Sequence, residues 1–480
     1  MNPLPVREFR ELLRYAFTVA SDADTTEPDV GSLFTPTGHR LALSPDVSIV
    51  VGARGTGKTY WSTALTDPTL RDLAADAYEI GALRNTLVVT GYGNEQNPDS
   101  YPTSRTLAML MQTSSPQHIW EAVLLANLDQ AFRFDHKSWA TRTAWVAAHP
   151  EGFDRALQKA DAEAREQRRS VLVVFDGLDR LHQNRKDNDQ LIGGVLRVAL
   201  DLRLGFRALR AKVFLRPDML ASAPTDFTDS SKLFANRAEL TWTTPNLYGL
   251  AFQQLGNART EAAEHFRDRY PHWRTEVDGA RRLPPADVVG DAERQQEIFT
   301  DIAGPYMGTN HRRGHTYTWL PNHLMDGAEQ VSPRSFLTAL REAAEYTAEA
   351  RSSHDLPLHH EGIRRGVQKA SETRVTEVTE DIKWIKIAMD PLEGTQVPVD
   401  EEDVLVRWKA ADVLRRVTSP QSDDVDGVRT GPAANTDREL VEELISLGMA
   451  TRRANGRLDL PDVYRIAFKI GRKGGVPRIK

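Results

Sequence analysis

The segment G-A-R-G-T-G-K-T at positions 52–59 has the spacing G-x-x-x-x-G-K-[ST] of a phosphate-binding loop. An apolar run at 47–51 precedes it and predicts a buried strand, and residues 60–65 can begin a helix. Glycines let the backbone wrap with its N–H groups toward phosphate oxygens, and the helix N-terminus adds its dipole. Lys58 is predicted to bridge the β- and γ-phosphates of ATP, and the Thr59 hydroxyl to ligate Mg²⁺. The predicted nucleotide contacts in this segment are Gly52, Ala53, Arg54, Gly55, Thr56, Gly57, Lys58, Thr59 and Tyr60.

A second motif, the acidic segment D-G-L-D-R, follows a wholly apolar run at 171–175. Asp176 stands where a strand-terminal carboxylate holds Mg²⁺, and it is the predicted partner of Thr59 in the metal site. Many ATPases place a glutamate directly after that aspartate, whereas here Gly177 follows. Asp179 is therefore the candidate catalytic base, and pairing with Arg180 is the alternative reading.

Three arginines are candidates for phosphate contact. Arg216 ends a predicted strand at the sheet edge where phosphates collect, so it can contact the γ-phosphate. Arg334, at the start of a helix in V-S-P-R-S-F-L, could reach the phosphates from a lid domain. Arg237, just before the last core strand, could act as a finger toward the nucleotide of a neighbouring subunit. For each of them an ordinary surface arginine is the alternative.

The elements that must position these residues alternate between strand and helix. Further strands are predicted at 85–90, at 171–175, in a run that ends at Arg216, and at 238–242, with helices at 119–134, 154–169 and 189–202. This alternation predicts an α/β fold: a P-loop NTPase core with a parallel sheet flanked by helices.

The chain before and after this core has a more helical pattern. We predict helices at 6–19, 247–268, 292–302, 333–350 and 361–389, and a small hairpin within 311–319. The predicted domains are an N-terminal helical extension (1–45), the P-loop core (46–245), a helical lid (246–350), a helical linker (351–400) and a C-terminal winged helix (401–480).

The C-terminal region predicts two helices, at 404–416 and 438–447, then two short strands around Asn455-Gly456. A winged helix is the leading interpretation of this order. The possible DNA contacts on its wing and tail are Arg452, Arg453, Arg457, Arg472 and Lys473. The second helix is acidic, which argues against base recognition, so docking on a protein or on the chain itself stays open as the alternative to nonspecific DNA binding.

The motifs together resemble those of known ATPase families. V-V-F-D-G-L-D-R resembles the extended Walker B motif of STAND, NACHT and KAP P-loop ATPases. F-L-R-P-D, a following L-T-W, P-R-S-F-L and a terminal winged helix resemble that group and the ORC-like branch of AAA+. The resemblance covers about residues 46–345 by motif and 401–480 by architecture only, and no array of sensor repeats follows the core. It implies a regulatory ATPase of the kind that bacteria often encode in antiviral or other conflict systems.

Composition narrows the class of protein. The 480 residues contain no cysteine, which excludes disulfides, cysteine zinc sites and thiol catalysis. The net charge of −6 argues against a surface coated with nucleic-acid-binding charge. The N-terminus lacks the apolar core of a signal peptide, and no run approaches the roughly 18 apolar residues of a membrane span. A cytoplasmic protein without membrane partners is expected.

Two classes of function fit these observations. In the first, Mg²⁺-ATP binds and is hydrolysed, and the chain acts as a switch or motor that self-associates and engages a protein partner. In the second, bound nucleotide is structural and the chain tethers DNA or protein with little turnover. The joint presence of Asp176, Asp179 and Arg216 favours the first.

Overall fold

The computed structural model describes residues 5–17, 28–182, 184–418 and 431–472. They form two compact units. The P-loop unit spans Thr35–Leu240, and the helical unit consists of the other described residues. Each unit has its own hydrophobic core.

Five strands of the P-loop unit form one parallel sheet in the order β2-β3-β4-β1-β5. They are β1 (Ile49–Val51), β2 (Thr86–Tyr92), β3 (Ser170–Phe175), β4 (Leu209–Leu215) and β5 (Arg237–Glu239). β1 pairs with β4 and β5, so the loop that follows Val51 leaves the middle of the sheet at its carboxyl edge. The predicted parallel sheet and all five strands are confirmed, and the strand order with its phosphate-binding loop defines a P-loop NTPase fold.

Eleven helices are assigned to the P-loop unit within its described residues: α2 (Arg40–Leu43), α3 (Lys58–Thr66), α4 (Pro68–Ala77), α5 (Ser104–Leu110), α6 (Pro116–Leu128), α7 (Gln130–Asp135), α8 (Trp139–Ala148), α9 (Pro150–Glu166), α10 (Arg185–Gly205), α11 (Pro217–Ser222) and α12 (Ser230–Phe234). The single helix predicted at 119–134 is wrong. The Asp129 carboxylate accepts from the N–H groups of Ala131 and Phe132, so a new helix begins there.

Residues 35–45, predicted as part of an extension, belong to the P-loop unit for a physical reason. The Lys212 side chain on β4 is fully buried, and its Nζ donates to the carbonyls of Ala42, Ser44 and Val47 at 2.7–3.0 Å. Burial lowers the pKa of Lys212 to about 7. The three carbonyls provide one acceptor for each hydrogen of the ammonium group, and these hydrogen bonds fix the segment before β1 to the sheet.

The helical unit contains α1 (Val6–Ala16) and a long series after the sheet. The series comprises α13 (Thr244–Asn257), α14 (Glu261–Arg269), α15 (Ala286–Gly290), α16 (Ala292–Ala303), α17 (Thr316–Leu324), α18 (Pro333–Ala350), α19 (His360–Asp381), α20 (Trp384–Met389), α21 (Glu401–Ala410), α22 (Val413–Thr418), α23 (Asp437–Ser446) and α24 (Asp462–Arg465). The end predicted for the first helix, at 19, lies outside the described residues. The extension is tied down by Arg10, whose guanidinium donates to four carbonyls between Ser352 and Pro357.

Three predicted helices are each two helices in the structure. The helix predicted at 247–268 ends at Asn257, and the Thr260 side chain caps the next one. The helix predicted at 361–389 breaks between α19 and α20, and the one at 404–416 breaks between α21 and α22. In each case the spacing of apolar residues continues on both sides of a short break, so this spacing alone predicts one continuous helix.

Small strands account for the remaining differences. The hairpin β6 (Arg274–Glu276) and β7 (Arg281–Leu283) was not predicted. The hairpin predicted within 311–319 is present only in part: an antiparallel bridge joins Tyr306 to His315, a 3-10 turn occupies His311–Arg313, and α17 follows. The predicted hairpin around Asn455-Gly456 is present as β9 (Thr451–Arg452) and β10 (Leu458–Asp459). A further parallel pair joins β8 (Gln396–Val397) to β11 (Gly471–Arg472).

No helix within the described residues is both long enough and apolar enough to cross a bilayer.

Candidate nucleotide-binding site

The phosphate-binding loop connects β1 to α3 as the sequence predicts. Gly57 caps α3 with φ 101° and ψ 24°, a left-handed conformation that glycine adopts without strain. Gly52 donates its N–H to Leu215 O at 3.0 Å, which ties the loop to β4. Tyr60 lies in the first turn of α3 with its ring 5.7 Å from that of Trp61. The loop is therefore a fixed turn at the carboxyl edge of the sheet.

The Lys58 side chain folds back over this loop. Its Nζ donates to the carbonyls of Gly52 and Ala53 at 2.8 and 3.0 Å. Burial lowers the pKa of Lys58 to about 8, although the charge of Asp176 acts in the opposite direction. The charges of Asp176, Arg216, Asp179 and Asp218 all act on this ammonium group, so the structure brings the predicted catalytic residues together around Lys58.

Asp176 is buried directly after β3, with 3% of its surface exposed. Burial raises the pKa of its carboxyl group, while a hydrogen bond from the Thr59 side chain and the charge of Lys58 lower it. Gly177 follows with φ 69°, and a Cβ there would lie 2.4 Å from Asn94 Oδ1. The left-handed conformation therefore favours glycine in this turn, which leads the chain to Asp179.

The oxygen atoms of Thr59 and Asp176 suit Mg²⁺, which prefers hard ligands and commonly takes one or two protein ligands, with nucleotide phosphates supplying others. Within the described residues no three histidine, aspartate or glutamate side chains form a metal cluster. A nucleotide-dependent Mg²⁺ site needs none, so the donor set fits the metal that the motif predicts.

Asp179 lies in a 3-10 turn, Leu178–Arg180, and faces Arg216 rather than Arg180 in the contacts observed. The Asp179 carboxylate is 3.8 Å from Arg216 Nη1. Two closer hydrogen bonds, of 3.2 and 3.0 Å, join Arg216 to Asp218. Arg216 is thus held by Asp218 through two hydrogen bonds, and its contact with Asp179 is longer and looser.

Asp218 was not predicted as a site residue, although it stands two residues after Arg216 in F-L-R-P-D. Its role follows only from the side-chain geometry. Glu377 was missed too: it accepts from Arg334 Nη1 at 2.8 Å across 43 positions of sequence. Both partners of this pair are largely buried in the helical unit, with 13% and 14% of their side chains exposed.

Arg237 is the first residue of the edge strand β5 and pairs in register with Ile49 of β1. It therefore lies nearer the amino end of the sheet than the loop that follows Val51. Its guanidinium is 3.3 Å from Glu239, and about half of the side chain is exposed. The position puts Arg237 on the surface of the P-loop unit and leaves its predicted role between subunits as a proposal.

The four predicted DNA-contacting arginines that the structure describes are all paired with carboxylates. Arg453 donates twice to Asp459, Arg457 twice to Asp400, and Arg472 pairs with Asp459 and Asp462. Arg452 contacts Glu401 and Glu442. Lys473 lies outside the described residues. A DNA phosphate would have to displace these carboxylates.

No protein-family model and no curated protein matches this chain. Among solved structures, the ORC2 protein of Aeropyrum pernix in ADPNP–ADP complexes is similar with a TM-score of 0.30 and 14% identity, covering 93% of both chains. Cdc6p of Pyrobaculum aerophilum is similar with a TM-score of 0.27 and 12% identity, covering 87% of this chain and 83% of that one. Similarities at these TM-scores carry no argument about activity.

Proposed function

We propose that the chain binds Mg²⁺-ATP on its P-loop and hydrolyses it as a regulatory switch. The observation that carries the proposal is the convergence of Lys58, Asp176, Asp179 and Arg216 in one cluster at the carboxyl edge of the sheet. A loop that only held a structural nucleotide would need the lysine and the backbone, but not a strand-terminal carboxylate beside a second acid and an arginine.

Each residue has a distinct part in the proposed reaction. Lys58 exchanges its two carbonyl acceptors for phosphate oxygens. Thr59 and Asp176 would hold Mg²⁺, which would neutralise phosphate charge. Asp179 orients the attacking water and accepts its proton, and Arg216, kept in place by Asp218, compensates charge on the γ-phosphate.

Turnover in the presence and absence of Mg²⁺ tests the proposal. We expect the full chain to release phosphate from ATP with Mg²⁺ and not with excess chelator. Asp176→Asn should lower the rate by at least about 10²-fold, because it weakens the metal site that stabilises developing charge. Tight ATP binding without phosphate release, unchanged by Asp176→Asn, would favour the alternative, a nucleotide-stabilised module that tethers DNA or protein.

Closure of a lid is a second part of the proposal. Arg334 is expected to leave Glu377 and reach the γ-phosphate when ATP is bound, as domain closure completes other phosphoryl-transfer sites. Glu377→Gln should then increase ATP affinity, since it releases the competing partner of Arg334, and Arg334→Ala should decrease it. A nucleotide-bound structure that retains the Arg334–Glu377 pair would count against this role.

Self-association completes the proposed switch, with Arg237 as the contact to a neighbour's nucleotide. The phosphate-release assay also tests self-association, because ATP turnover per subunit should rise with protein concentration in the parent chain. Activity that is constant from dilute to concentrated protein would rule out a shared site. A cytoplasmic protein partner, coupling to a C-terminal winged helix and a place in an antiviral or conflict system are proposed from the sequence resemblance.

A further inference from the structure

A basic loop at residues 305–316 connects α16 to α17 in the helical unit. The sequence from 302 to 325 contains no aspartate or glutamate, but two arginines and three histidines. His311, Arg312, Arg313 and His315 are all exposed. The exposed tip of the loop therefore carries two arginines and no carboxylate of its own.

The basic loop has an ordered scaffold. Its stem is closed by hydrogen bonds from Met307 N to Gly314 O at 2.9 Å and from Thr316 N to Pro305 O at 3.2 Å. At the tip, Asn310 Oδ1 accepts from Arg312 N, which starts the 3-10 turn. The backbone thus fixes where the two arginines project, so binding would not require the loop to be ordered first.

A second pair of arginines lies beside the stem. Arg364 on α19 donates to Met307 O at 3.2 Å, and its neighbour Arg365 is exposed. Throughout the described chain, neither these two arginines nor Arg312 and Arg313 form an ion pair with a carboxylate. The arginines at 452, 453, 457 and 472 are all paired with acids. Of these two groups of arginines, only the four at the basic loop and on α19 lack a carboxylate partner within the described residues.

The chemistry of the surface selects among anionic partners. The large hydrophobic side chains that are exposed in the described residues include none from the basic loop, so the loop offers no apolar anchor for a bilayer or for the core of a protein interface. The Tyr306 ring packs against the His311 and His315 rings, at centroid distances of 6.5 and 5.0 Å. Charge, rather than a stacking face, dominates what the loop presents.

We infer that the basic loop, together with Arg364 and Arg365, binds the phosphate backbone of a nucleic-acid duplex without reading its bases. Guanidinium groups suit phosphodiester oxygens, with which they form paired hydrogen bonds. The basic loop lies in the helical unit and shares no residue with the nucleotide site, so the inference does not depend on ATP hydrolysis.

Fluorescence anisotropy on the full chain tests it, with labelled duplex DNA and duplex RNA of about 20 base pairs in two unrelated sequences. We expect micromolar binding at about 50 mM salt, equal for the two sequences, and a loss of affinity of about 10²-fold at 200 mM for four neutralised phosphates. The DNA and RNA arms show which backbone is preferred, and binding to either supports the inference.

Two double variants and a matched control identify the surface. Arg312→Gln/Arg313→Gln should weaken binding at least about tenfold at low salt and reduce the salt slope by about two. Arg364→Gln/Arg365→Gln should act in the same direction. The control, Arg155→Gln/Lys159→Gln, removes the same charge from exposed i,i+4 pairs on α9 and should change binding far less.

Several results would overturn the inference. One such result is that no complex forms at roughly 100 µM protein in low salt. Another is that Arg312→Gln/Arg313→Gln binds the duplex as the parent chain does, or that the α9 control loses as much affinity as this variant. Polyglutamate competing as well as unlabelled duplex would indicate a docking surface for acidic protein instead. Binding to phosphatidylserine vesicles but not to duplex would indicate a membrane surface. Equal melting temperatures of the parent and variants ensure that a loss is not caused by unfolding.

Discussion

Lys58→Ala is expected to weaken ATP binding by about 30-fold or more, which corresponds to the roughly 2–5 kcal/mol lost when one partner of a buried charge pair is truncated. In the nucleotide-free site the Lys58 ammonium is held against the carbonyls of Gly52 and Ala53. It is therefore positioned over the loop before phosphate arrives, and alanine removes the charge without rebuilding the loop.

The pH dependence of binding distinguishes this role from a general loss of structure. Burial lowers the pKa of Lys58 to about 8 in the free site, and bound phosphates favour the charged amine and so raise that pKa. Below pH 8 the amine is already charged and affinity should be nearly constant. Above pH 8 binding must take up a proton, so affinity should fall, by at most tenfold per pH unit.

Titration calorimetry between about pH 7 and 9.5, in buffers of different ionisation enthalpy, measures affinity and proton uptake together. Lys58→Ala should remove the proton uptake as well as the affinity. Lys232→Ala, which changes an exposed lysine in the same unit, is the control and should retain both. If Lys58→Ala keeps the parent pH profile, another group titrates and the assignment to Lys58 is wrong.

The sheet was predictable because its central strands are apolar on both faces. The runs at 47–51 and 171–175 lie within continuous burial, which is typical of parallel strands covered by helices. The phosphate-binding loop was predictable for a similar reason, since its glycines and lysine are fixed by one local function. Where one local rule determines a segment, the sequence alone is sufficient.

Helix breaks and ion pairs were harder to predict from the sequence than the sheet and the phosphate-binding loop. The caps at Asp129 and Thr260 are local signals, but they lie inside runs whose apolar spacing favours a single helix. The arginines of the C-terminal hairpin appeared available to DNA because their partners are distant in sequence: Arg452 contacts Glu401, 51 positions away. Pairing of this kind depends on the tertiary fold, and so does the loose contact between Asp179 and Arg216.

That loose contact makes Asp179→Asn the sharpest test of catalysis. The substitution keeps the size of the side chain and removes its charge and basicity. We expect ATP affinity within a few-fold of the parent chain, since Lys58 and the loop backbone are unchanged, and turnover lower by about 10²- to 10⁴-fold, the range of a lost general base. Single-turnover phosphate release at saturating ATP measures the chemical step directly.

The alternative is that Asp179 only positions Arg216. Asp218 already holds Arg216 with two hydrogen bonds, so losing the 3.8 Å contact with Asp179 should displace Arg216 little. Asp218→Asn should therefore lower turnover by displacing Arg216. This loss of turnover should be smaller than the loss caused by Asp179→Asn. The exposed Asp229→Asn serves as the isosteric control. Turnover of Asp179→Asn at the parent rate would exclude Asp179 as the base and direct attention to the acids between β2 and β3, of which Glu95 is the first in sequence after β2.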